Sequence, residues 1–370
     1  MKILIISQHI FPIQTPRAHR TTELAKELSR QGHDLTIYAV LGNFNYSAFL
    51  KKFKIDLRPI KLKYQIRSFN SDGFKKRNIV DRVLGKLLGK LFEFPEIEFM
   101  FRVKEIFKTK NNYDLLISIA DPHHIHWGCS KAKKKYPLNF PKIWIADCGD
   151  PFMENGKTKN HLNYFKKYER IFCELCDFIT VPIENAKKAY YQEYRQKIKV
   201  IPQGFELKKN TSMIFENKKE KVIKFLYAGT FLPDLRNPKN LFEYLTSINK
   251  PFKFYVFTEF DKLIKPYMNK LGEKLVVKKY IPREELLNFM QNMDFLINIQ
   301  NKNNTTQLPS KLIDYAISGK PVINLNPEKL DIQNLNQFLN KDYRKKFVIE
   351  NIEQYDIKNV VSKFMKLANA

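Results

Sequence analysis

The chain has 370 residues, 44% of them hydrophobic, which allows two domains of ordinary size and excludes an intrinsically disordered protein. Its formal net charge of +27 predicts a polyanionic partner: a nucleic acid, an anionic membrane or a phosphorylated substrate. No segment approaches the ~18 to 20 consecutive apolar residues of a membrane-spanning helix, and the apolar run at the N-terminus is too short for a signal peptide.

The first half of the sequence alternates apolar strands with amphipathic helices. The run at 3–7 predicts a strand of a buried parallel sheet, the next helix ends at Gly32, and a second strand follows at 34–40. Strand, helix and strand in this order form one βαβ unit. The same pattern predicts three more strands, at 114–120, 142–147 and 177–181.

The segment 51–90 concentrates positive charge, with thirteen Lys and Arg residues against three Asp residues. Six apolar residues in and beside it share one helical stripe: Val83, Leu84, Leu87, Leu88, Leu91 and Phe92. A basic amphipathic helix of this kind can lie on an anionic membrane surface. The same pattern also fits a helix that packs on the core and exposes a basic side, so both interpretations stay open.

The four cysteines are too few for a disulfide scaffold; they are Cys129, Cys148, Cys173 and Cys176. The last two form a CxxC pair. However, no second CxxC or nearby HxxxH completes a zinc-ligand set. We therefore expect packed, reduced thiols in a cytoplasmic protein.

A second alternating series begins near residue 195 and predicts strands at 223–229, 252–258, 294–300 and 321–325, with helices between them. Two such series imply two doubly wound α/β domains. We assign the first to 1–190, the second to 191–350 and a closing helix to 351–370. In doubly wound sheets ligands bind at the carboxyl ends of strands, so the loops there are the candidate sites.

The most informative segment is 303–323, a polar loop that enters a helix at Pro309 and Ser310. Proline and serine suit a helix start, and the free N–H groups there, together with Lys311, form an anion site. Asp314, one turn later, can accept hydrogen bonds from sugar hydroxyls, and Gly319 ends the helix. Recognition of phosphate and ribose at one helix start is what a nucleoside diphosphate requires.

This segment resembles the nucleotide-sugar motif of retaining glycosyltransferases with two Rossmann-like domains, particularly family four. The resemblance implies the GT-B fold, in which the two domains face each other across a cleft. It implies that Asp314 binds the ribose hydroxyls and that Ser310 and Lys311 face the diphosphate. Many members have a glutamate that contacts the transferred sugar where this chain has Thr306.

Two further segments are similar to donor-binding segments of the same family. In the loop after the strand at 223–229, Gly229 and Thr230 allow close backbone approach to a ligand. Arg236 and Lys239 can neutralise the leaving diphosphate, although a solvated charge at a helix start is the alternative. Tyr280 and Ile281 match the positions that line the nucleobase.

The first domain is expected to bind the acceptor. Arg17 and Arg20 follow the first strand and are candidates for an anionic acceptor, with plain surface charge as the alternative. His126 matches the family's histidine beside the donor sugar, and His123 is a candidate contact of the acceptor. Asp150 is a candidate for orienting the acceptor hydroxyl or, alternatively, a turn aspartate. Three histidines in one short loop do not supply a closed metal site.

The resemblance implies transfer of a sugar from a nucleotide-diphosphate sugar to a saccharide or lipid-linked acceptor, with retention and without metal or cofactor. Catalysis is assigned to His126, Asp150, Arg236 and Lys311. The family context suggests synthesis of capsule, lipopolysaccharide or another surface glycan, in the cytoplasm or on the inner face of the plasma membrane. The alternatives are a nucleotide-sugar 2-epimerase, a non-catalytic transferase subunit and a nucleic-acid-binding protein; the last is not expected because no reading motif is present.

Overall fold

The computed structural model describes residues 1–13, 15–63, 87–109, 112–149, 151–153, 161–207, 222–302, 310–348 and 350–370. The chain divides into two compact units. Unit 1 combines Met1–Glu206 with Gln354–Ala370, and unit 2 is Leu207–Glu353. The second unit is therefore inserted between two parts of the first.

Unit 1 contains seven strands: β1 Lys2–Ile6, β2 Asp34–Ala39, β3 Ile55–Pro59, β4 Leu115–Ile119, β5 Ile143–Asp147, β6 Phe178–Val181 and β7 Ile198–Val200. Its named α-helices are α1 Pro16–Arg30, α2 Ser47–Phe53, α3 Glu98–Ile106, α4 His124–Lys135, α5 Phe165–Leu175 and the C-terminal helix Ile357–Ala368, designated α11 below. The central strands are apolar on both faces because helices cover both sides of the sheet.

The sheet of unit 1 is parallel throughout and has the strand order β3-β2-β1-β4-β5-β6-β7. In its register Ile3 of β1 pairs with Leu35 on one side and Leu115 on the other. The chain runs outward from β1 to β3 and then returns to β4 on the other side of β1. The switch point of the sheet thus lies between β1 and β4, where the loops that follow these strands meet.

Two apolar clusters cover the faces of this sheet. Leu4 and Ile6 point into one, and Ile3 and Ile5 into the other, as expected when successive side chains alternate. The second cluster includes five buried residues of α11: Ile357, Val360, Val361, Phe364 and Ala368. The C-terminal helix therefore completes the core of the unit that the N-terminus begins.

Unit 2 contains five strands: β8 Ile223–Ala228, β9 Phe252–Phe257, β10 Leu275–Lys278, β11 Phe295–Ile299 and β12 Val322–Leu325. Its helices are α6 Lys239–Ser247, α7 Lys265–Leu271, α8 Arg283–Met290, α9 Ser310–Ser318 and α10 Ile332–Leu339. The parallel sheet has the order β10-β9-β8-β11-β12. Its switch point lies between β8 and β11, and stacked Phe225, Phe254 and Phe295 rings fill its core.

The predicted α/β class with two doubly wound sheets is confirmed. The boundary differs from 190, because β7 pairs with β6 and so extends unit 1 to Glu206. All four cysteines are buried and free, as expected from packing. Most of the basic segment, 64–86, lies outside the described residues; 55–59 forms β3 and 87–92 is helical. In the described ranges, none of the helices has the length and apolar character needed to cross a bilayer.

Candidate active site

A loop with an unusual backbone follows β8 at the switch point of the second sheet. Gly229 has φ +140°, a conformation that L side chains rarely adopt. Tyr227 Oη donates to the carbonyl of Thr230 at 3.3 Å, and the Thr230 hydroxyl hydrogen-bonds to Tyr280 Oη at 2.8 Å. A Cβ on Gly229 would lie 3.8 Å from Lys311 Cδ. The loop and the start of α9 therefore meet at this glycine.

A buried contact fixes α9 against the end of β8. The backbone N–H of Ala228 donates to Tyr315 Oη at 2.8 Å, and Tyr315 is fully buried. Because Tyr315 lies on the second turn of α9, this hydrogen bond holds the first turn of the helix beside Gly229. The positive end of the helix dipole is thus placed at the switch point, where an anion is stabilised.

Lys311, the second residue of α9, places its amine over the ring of Tyr227, with Nζ 4.2 Å from the ring centroid. Nζ is buried and has no hydrogen-bond partner among the described residues. Burial, and to a lesser degree the charge of Arg236, lowers the pKa of Lys311 well below its ordinary value of 10.5. A buried amine without an acceptor is costly, so this position suits an anion that supplies one.

Arg236 brings a second cationic group to the same end of β8. Its backbone N–H donates to the carbonyl of Leu232 at 2.8 Å, which closes the loop that follows Gly229. Its Nε is buried and makes no hydrogen bond within the described part of the chain. Arg236 is close enough to Lys311 to depress the pKa of that amine. The structure thus brings together the two cations that the sequence assigned to the diphosphate.

Asp314 lies one turn beyond Lys311 and is held by an arginine that sequence reasoning missed. Arg283 Nε donates to Asp314 Oδ1 at 2.7 Å, and both side chains are partly buried. The ion pair fixes the carboxylate, and a carboxylate has enough lone pairs to accept a further donor such as a hydroxyl. The sequence feature that could have identified Arg283 is its position at the start of α8, directly after the segment predicted to line the nucleobase.

The remaining donor-binding predictions have mixed outcomes. Tyr280 is 46% exposed and joins the loop through Thr230, whereas Ile281 packs against an apolar cluster of unit 2. Lys239 begins α6, and its amine lies 3.8 Å from a Glu243 carboxylate oxygen on the exposed face of that helix. Thr306 and the side chain of Ser310 lie outside the described residues.

In unit 1 the two predicted acceptor-binding arginines converge on Asp147. Arg17 donates to Asp147 Oδ2 at 2.6 Å, and Arg20 donates to the same carboxylate at 2.8 and 3.2 Å. Arg20 also donates to the carbonyls of Pro202 and Ile201 and is almost fully buried. The structure therefore gives Arg20 a structural role, because its guanidinium is enclosed and its donors are engaged. Arg17 is 20% exposed and stays a candidate.

Charge pairing decides the ionisation of Asp147. Burial alone would raise the pKa of this carboxyl, but Arg20, Arg17 and a 2.6 Å hydrogen bond from Thr180 outweigh it and lower the pKa from 3.8 to about 2. Asp147 thus stays charged at neutral pH and ties α1 to the carboxyl ends of β5 and β6.

The histidines lie at the start of α4, not in a loop as the sequence was interpreted. His126 has no exposed surface; its Nδ1 is 2.8 Å from Ser118 Oγ and its Nε2 3.4 Å from Cys148 Sγ. Burial, with a smaller effect of His123, lowers the pKa of His126 well below 6.5, so the ring is neutral. His126 therefore belongs to the core, and its enclosure does not favour the predicted contact with a donor sugar.

His123, His126 and Cys148 have potential ligand atoms within 4.8 Å of one another. All three are buried among aromatic rings, and burial raises the pKa of the Cys148 thiol far above its ordinary value. Both ring nitrogens of His126 already face protein partners. We therefore interpret this cluster as part of the core. His123 is also buried, and this does not favour the predicted contact with an acceptor.

The switch point of unit 1 contains two residues that the sequence reasoning did not single out. His9 follows β1, and Asp121 follows β4. Burial lowers the pKa of His9 to about 4, and the nearby charge of Asp121 opposes this effect only in part. Their position after the two central strands was the signal that could have identified them. Asp150, predicted to orient the acceptor, lies outside the described residues.

Residues 18–209, more than half of the chain, match the family model described as Glycosyltransferase Family 4. The chain belongs to glycosyltransferase family 4. No curated protein matches the sequence. The family assignment makes this protein a glycosyltransferase and does not favour the epimerase or nucleic-acid-binding alternatives.

Solved structures similar to this family 4 enzyme show the GT-B fold. The apo lipopolysaccharide outer core galactosyltransferase WaaB has a TM-score of 0.60 at 15% identity, over 99% of both chains. HepE from Anabaena in complex with UDP-glucose has a TM-score of 0.61 at 12% identity, and TarM has 0.63 at 12% identity. For each, 100% of this chain and 99% of the other are covered.

Proposed function

We propose that this glycosyltransferase binds the diphosphate of a nucleotide-sugar donor at the carboxyl end of β8. The observation that carries the proposal is the pair of neighbouring buried cationic groups, Lys311 Nζ and Arg236 Nε, which have no acceptors among the described residues. A diphosphate supplies the oxygens that both groups lack. UDP-glucose is the first donor to test, because the similar HepE structure is a complex with this nucleotide sugar.

The site also supports a role for these cations in the reaction. As the bond between the anomeric carbon and the diphosphate breaks, negative charge accumulates on the leaving group. Lys311, Arg236 and the N-terminus of α9 stabilise that charge, and preorganised electrostatic stabilisation of this kind is usually the largest single contribution to catalysis. We assign the ribose hydroxyls to Asp314, whose carboxylate, oriented by Arg283, can accept from them.

The stereochemistry and the metal requirement complete the proposal. The acceptor hydroxyl attacks on the face that the diphosphate leaves, a phosphate oxygen takes its proton, and the configuration is retained. In the donor complex the positive charges of Lys311 and Arg236 take the part that a divalent cation plays in metal-dependent transferases. Product analysis by ¹H NMR reports the anomeric configuration, and turnover unchanged in EDTA supports metal independence. A product with inverted anomeric configuration contradicts retention, and loss of turnover in EDTA contradicts metal independence.

We place the acceptor at the switch point of unit 1, with Arg17, His9 and Asp121 as candidate contacts in addition to Asp150. The acceptor class is a saccharide or a lipid-linked saccharide of a surface glycan; the similarity to WaaB, a lipopolysaccharide outer core galactosyltransferase, supports this class. The net charge of +27 and the basic segment 51–90 support action on an anionic inner membrane surface. Flotation with anionic and neutral vesicles tests this location, and equal recovery with both contradicts it.

The decisive experiment is a thermal-shift screen of UDP-, GDP-, ADP- and dTDP-sugars with the wild type, Arg236→Met and Arg344→Met. Arg344 is an exposed arginine of the same unit and serves as the matched control. A ligand at 100 times its Kd stabilises the wild type by about 2.7 kcal/mol. We expect one nucleotide class to stabilise the wild type and Arg344→Met but not Arg236→Met. No shift with any nucleotide sugar, or equal shifts in all three proteins, contradicts the proposal.

A further inference from the structure

The surroundings of Lys311 do not match the positive charge that a lysine ordinarily carries. Its amine is enclosed at the end of β8, with the Tyr227 ring on one side and no hydrogen-bond acceptor within the described residues. Contact with an aromatic face stabilises an ammonium group only modestly. Burying an unpaired charge is considerably more unfavourable than that contact is favourable. The ring alone therefore cannot offset the burial of the charged form.

The ionisable groups that face this amine do not change that result. Tyr227, on β8, is neutral because burial raises its pKa. From the loop after Gly229 comes Arg236, which disfavours a second positive charge. On α9 itself Asp314 is engaged by Arg283 of α8, and Tyr315 is neutral and bonded to the backbone of Ala228. In the described part of the chain, no carboxylate is paired with Lys311.

We propose that the donor diphosphate binds together with one proton, taken from solvent by the amine of Lys311, so that the cationic site is completed only when the donor is present. This inference rests on the proposed function. In this proton transfer the lone pair of the Lys311 amine forms an N–H bond, and the buffer loses the proton. Tyr227 acts as a positioning residue, because its ring and its hydrogen bond to Thr230 hold the amine beside the loop.

The coupling has a definite sign. The pKa of Lys311 is depressed in the free protein, and a bound dianion raises it because opposite charge favours the ammonium form. Between these two pKa values, binding takes up a proton, and affinity falls as pH rises by up to about tenfold per unit. The donor-free protein therefore holds one positive charge fewer at this site than the complex.

The test is isothermal titration calorimetry with UDP at about pH 8, where the terminal phosphate is ionised, in three buffers of different ionisation enthalpy. The slope of the observed enthalpy against the buffer enthalpy gives the number of protons taken up. For the wild type we expect a slope approaching about one proton per UDP. Lys311→Arg remains charged at this pH and is expected to bind with a slope near zero. Lys329→Arg, at an exposed lysine of the same unit, is the matched control and keeps the wild-type slope.

A second measurement does not depend on how Lys311→Arg folds: the Kd of the wild type for UDP between about pH 7.5 and 9.5. We expect affinity to weaken as pH rises. A pH-independent Kd, or the same calorimetric slope for the wild type and Lys311→Arg, overturns the inference while leaving the proposed donor site in place. If neither UDP nor GDP, ADP or dTDP binds, the proposed function fails and the inference fails with it.

Discussion

The guanidinium of Arg20 donates to both carboxylate oxygens of Asp147, with Nη2 at 2.8 Å from Oδ1 and Nε at 3.2 Å from Oδ2. This two-pronged geometry is the strongest form of a carboxylate–arginine contact, and here it is almost completely enclosed. Arg17 joins the same carboxylate, and Arg20 reaches on to the backbone of Ile201 and Pro202. The ion pair therefore connects α1, β5 and the segment that follows β7.

Removal of the Asp147 charge is expected to destabilise unit 1 strongly. Asp147→Asn keeps the shape but leaves two guanidinium groups without their counter-ion, and loss of one partner of a buried ion pair costs about 3 to 5 kcal/mol. Asp56→Asn, at an exposed ion pair of the same sheet, is the matched control and should change stability by less than about 1 kcal/mol. Urea unfolding measures both; similar midpoints would contradict a structural role for the buried pair.

The same carboxylate predicts an acid-dependent loss of stability. The pKa of Asp147 is about 2 in the folded protein and 3.8 as an isolated group. Because the folded value is the lower one, the stabilisation is fully present above about pH 4 and is lost as the pH falls toward 2. Asp147→Asn lacks this contribution and is expected to show a shallower acid dependence. Melting temperatures from pH 2 to 6 test this, and parallel curves would refute it.

Lys311→Met is expected to stabilise the donor-free protein while impairing donor binding. The substitution replaces an enclosed amine that lacks an acceptor with an apolar chain of similar length, and an unsatisfied buried polar group costs about 1 to 3 kcal/mol. Thermal melts without ligand should therefore show a higher midpoint, whereas UDP should no longer raise it. Lys329→Met should behave like the wild type. A lower midpoint without ligand would indicate that Lys311 has an acceptor in the folded protein.

Arg283→Met is expected to weaken donor binding without direct contact to the diphosphate. Arg283 fixes Asp314, which we assign to the ribose, and hydrogen bonds to charged groups contribute about 1.5 to 3 kcal/mol. The KM for the donor should rise roughly 10- to 100-fold, about as much as for Asp314→Asn, and the double variant should add little further because the two residues act together. Fully additive effects in steady-state kinetics would show that Arg283 acts elsewhere.

Gly229→Ala is expected to reduce both stability and donor binding. At φ +140° an alanine is strained, and this costs about 1 to 3 kcal/mol unless the loop moves. Movement of the loop would displace Thr230 and Arg236 from the switch point. Gly89→Ala is the matched control, since a Cβ there meets only an ordinary contact of 3.5 Å within a helical segment. Equal melting temperatures and donor KM values for the two variants would contradict this account of the loop.

The strands of both sheets were largely predictable, because continuous apolar runs between polar residues mark buried parallel strands. β3 and β10 were missed because Ile55–Pro59 and Leu275–Lys278 are short, partly exposed edge strands without a long continuous apolar run. The sequence did not indicate that His123 and His126 are buried, because the identity of a residue does not reveal its burial.

The sequence predicts the chemistry of the proposed donor site but not all the contacts among its residues. Lys311, Arg236 and Asp314 follow from a helix start and a glycine loop at strand ends, which the sequence displays. The pairing of Arg283 with Asp314 and the enclosure of Lys311 over Tyr227 depend on how distant segments pack, and no local pattern encodes that. Arg20 was a candidate contact of the acceptor from its position after a strand, but a basic residue at such a position can equally pair with a buried carboxylate, as Arg20 does with Asp147.

The insertion of unit 2 between the two parts of unit 1 has a consequence for biosynthesis. During translation the first sheet emerges early, yet its second apolar cluster lacks Ile357, Val361 and Phe364 until α11 has left the ribosome. Unit 2, whose residues are contiguous, can complete its core before that moment. Unit 1, although its synthesis begins first, therefore completes its core after unit 2, when α11 packs on its apolar face.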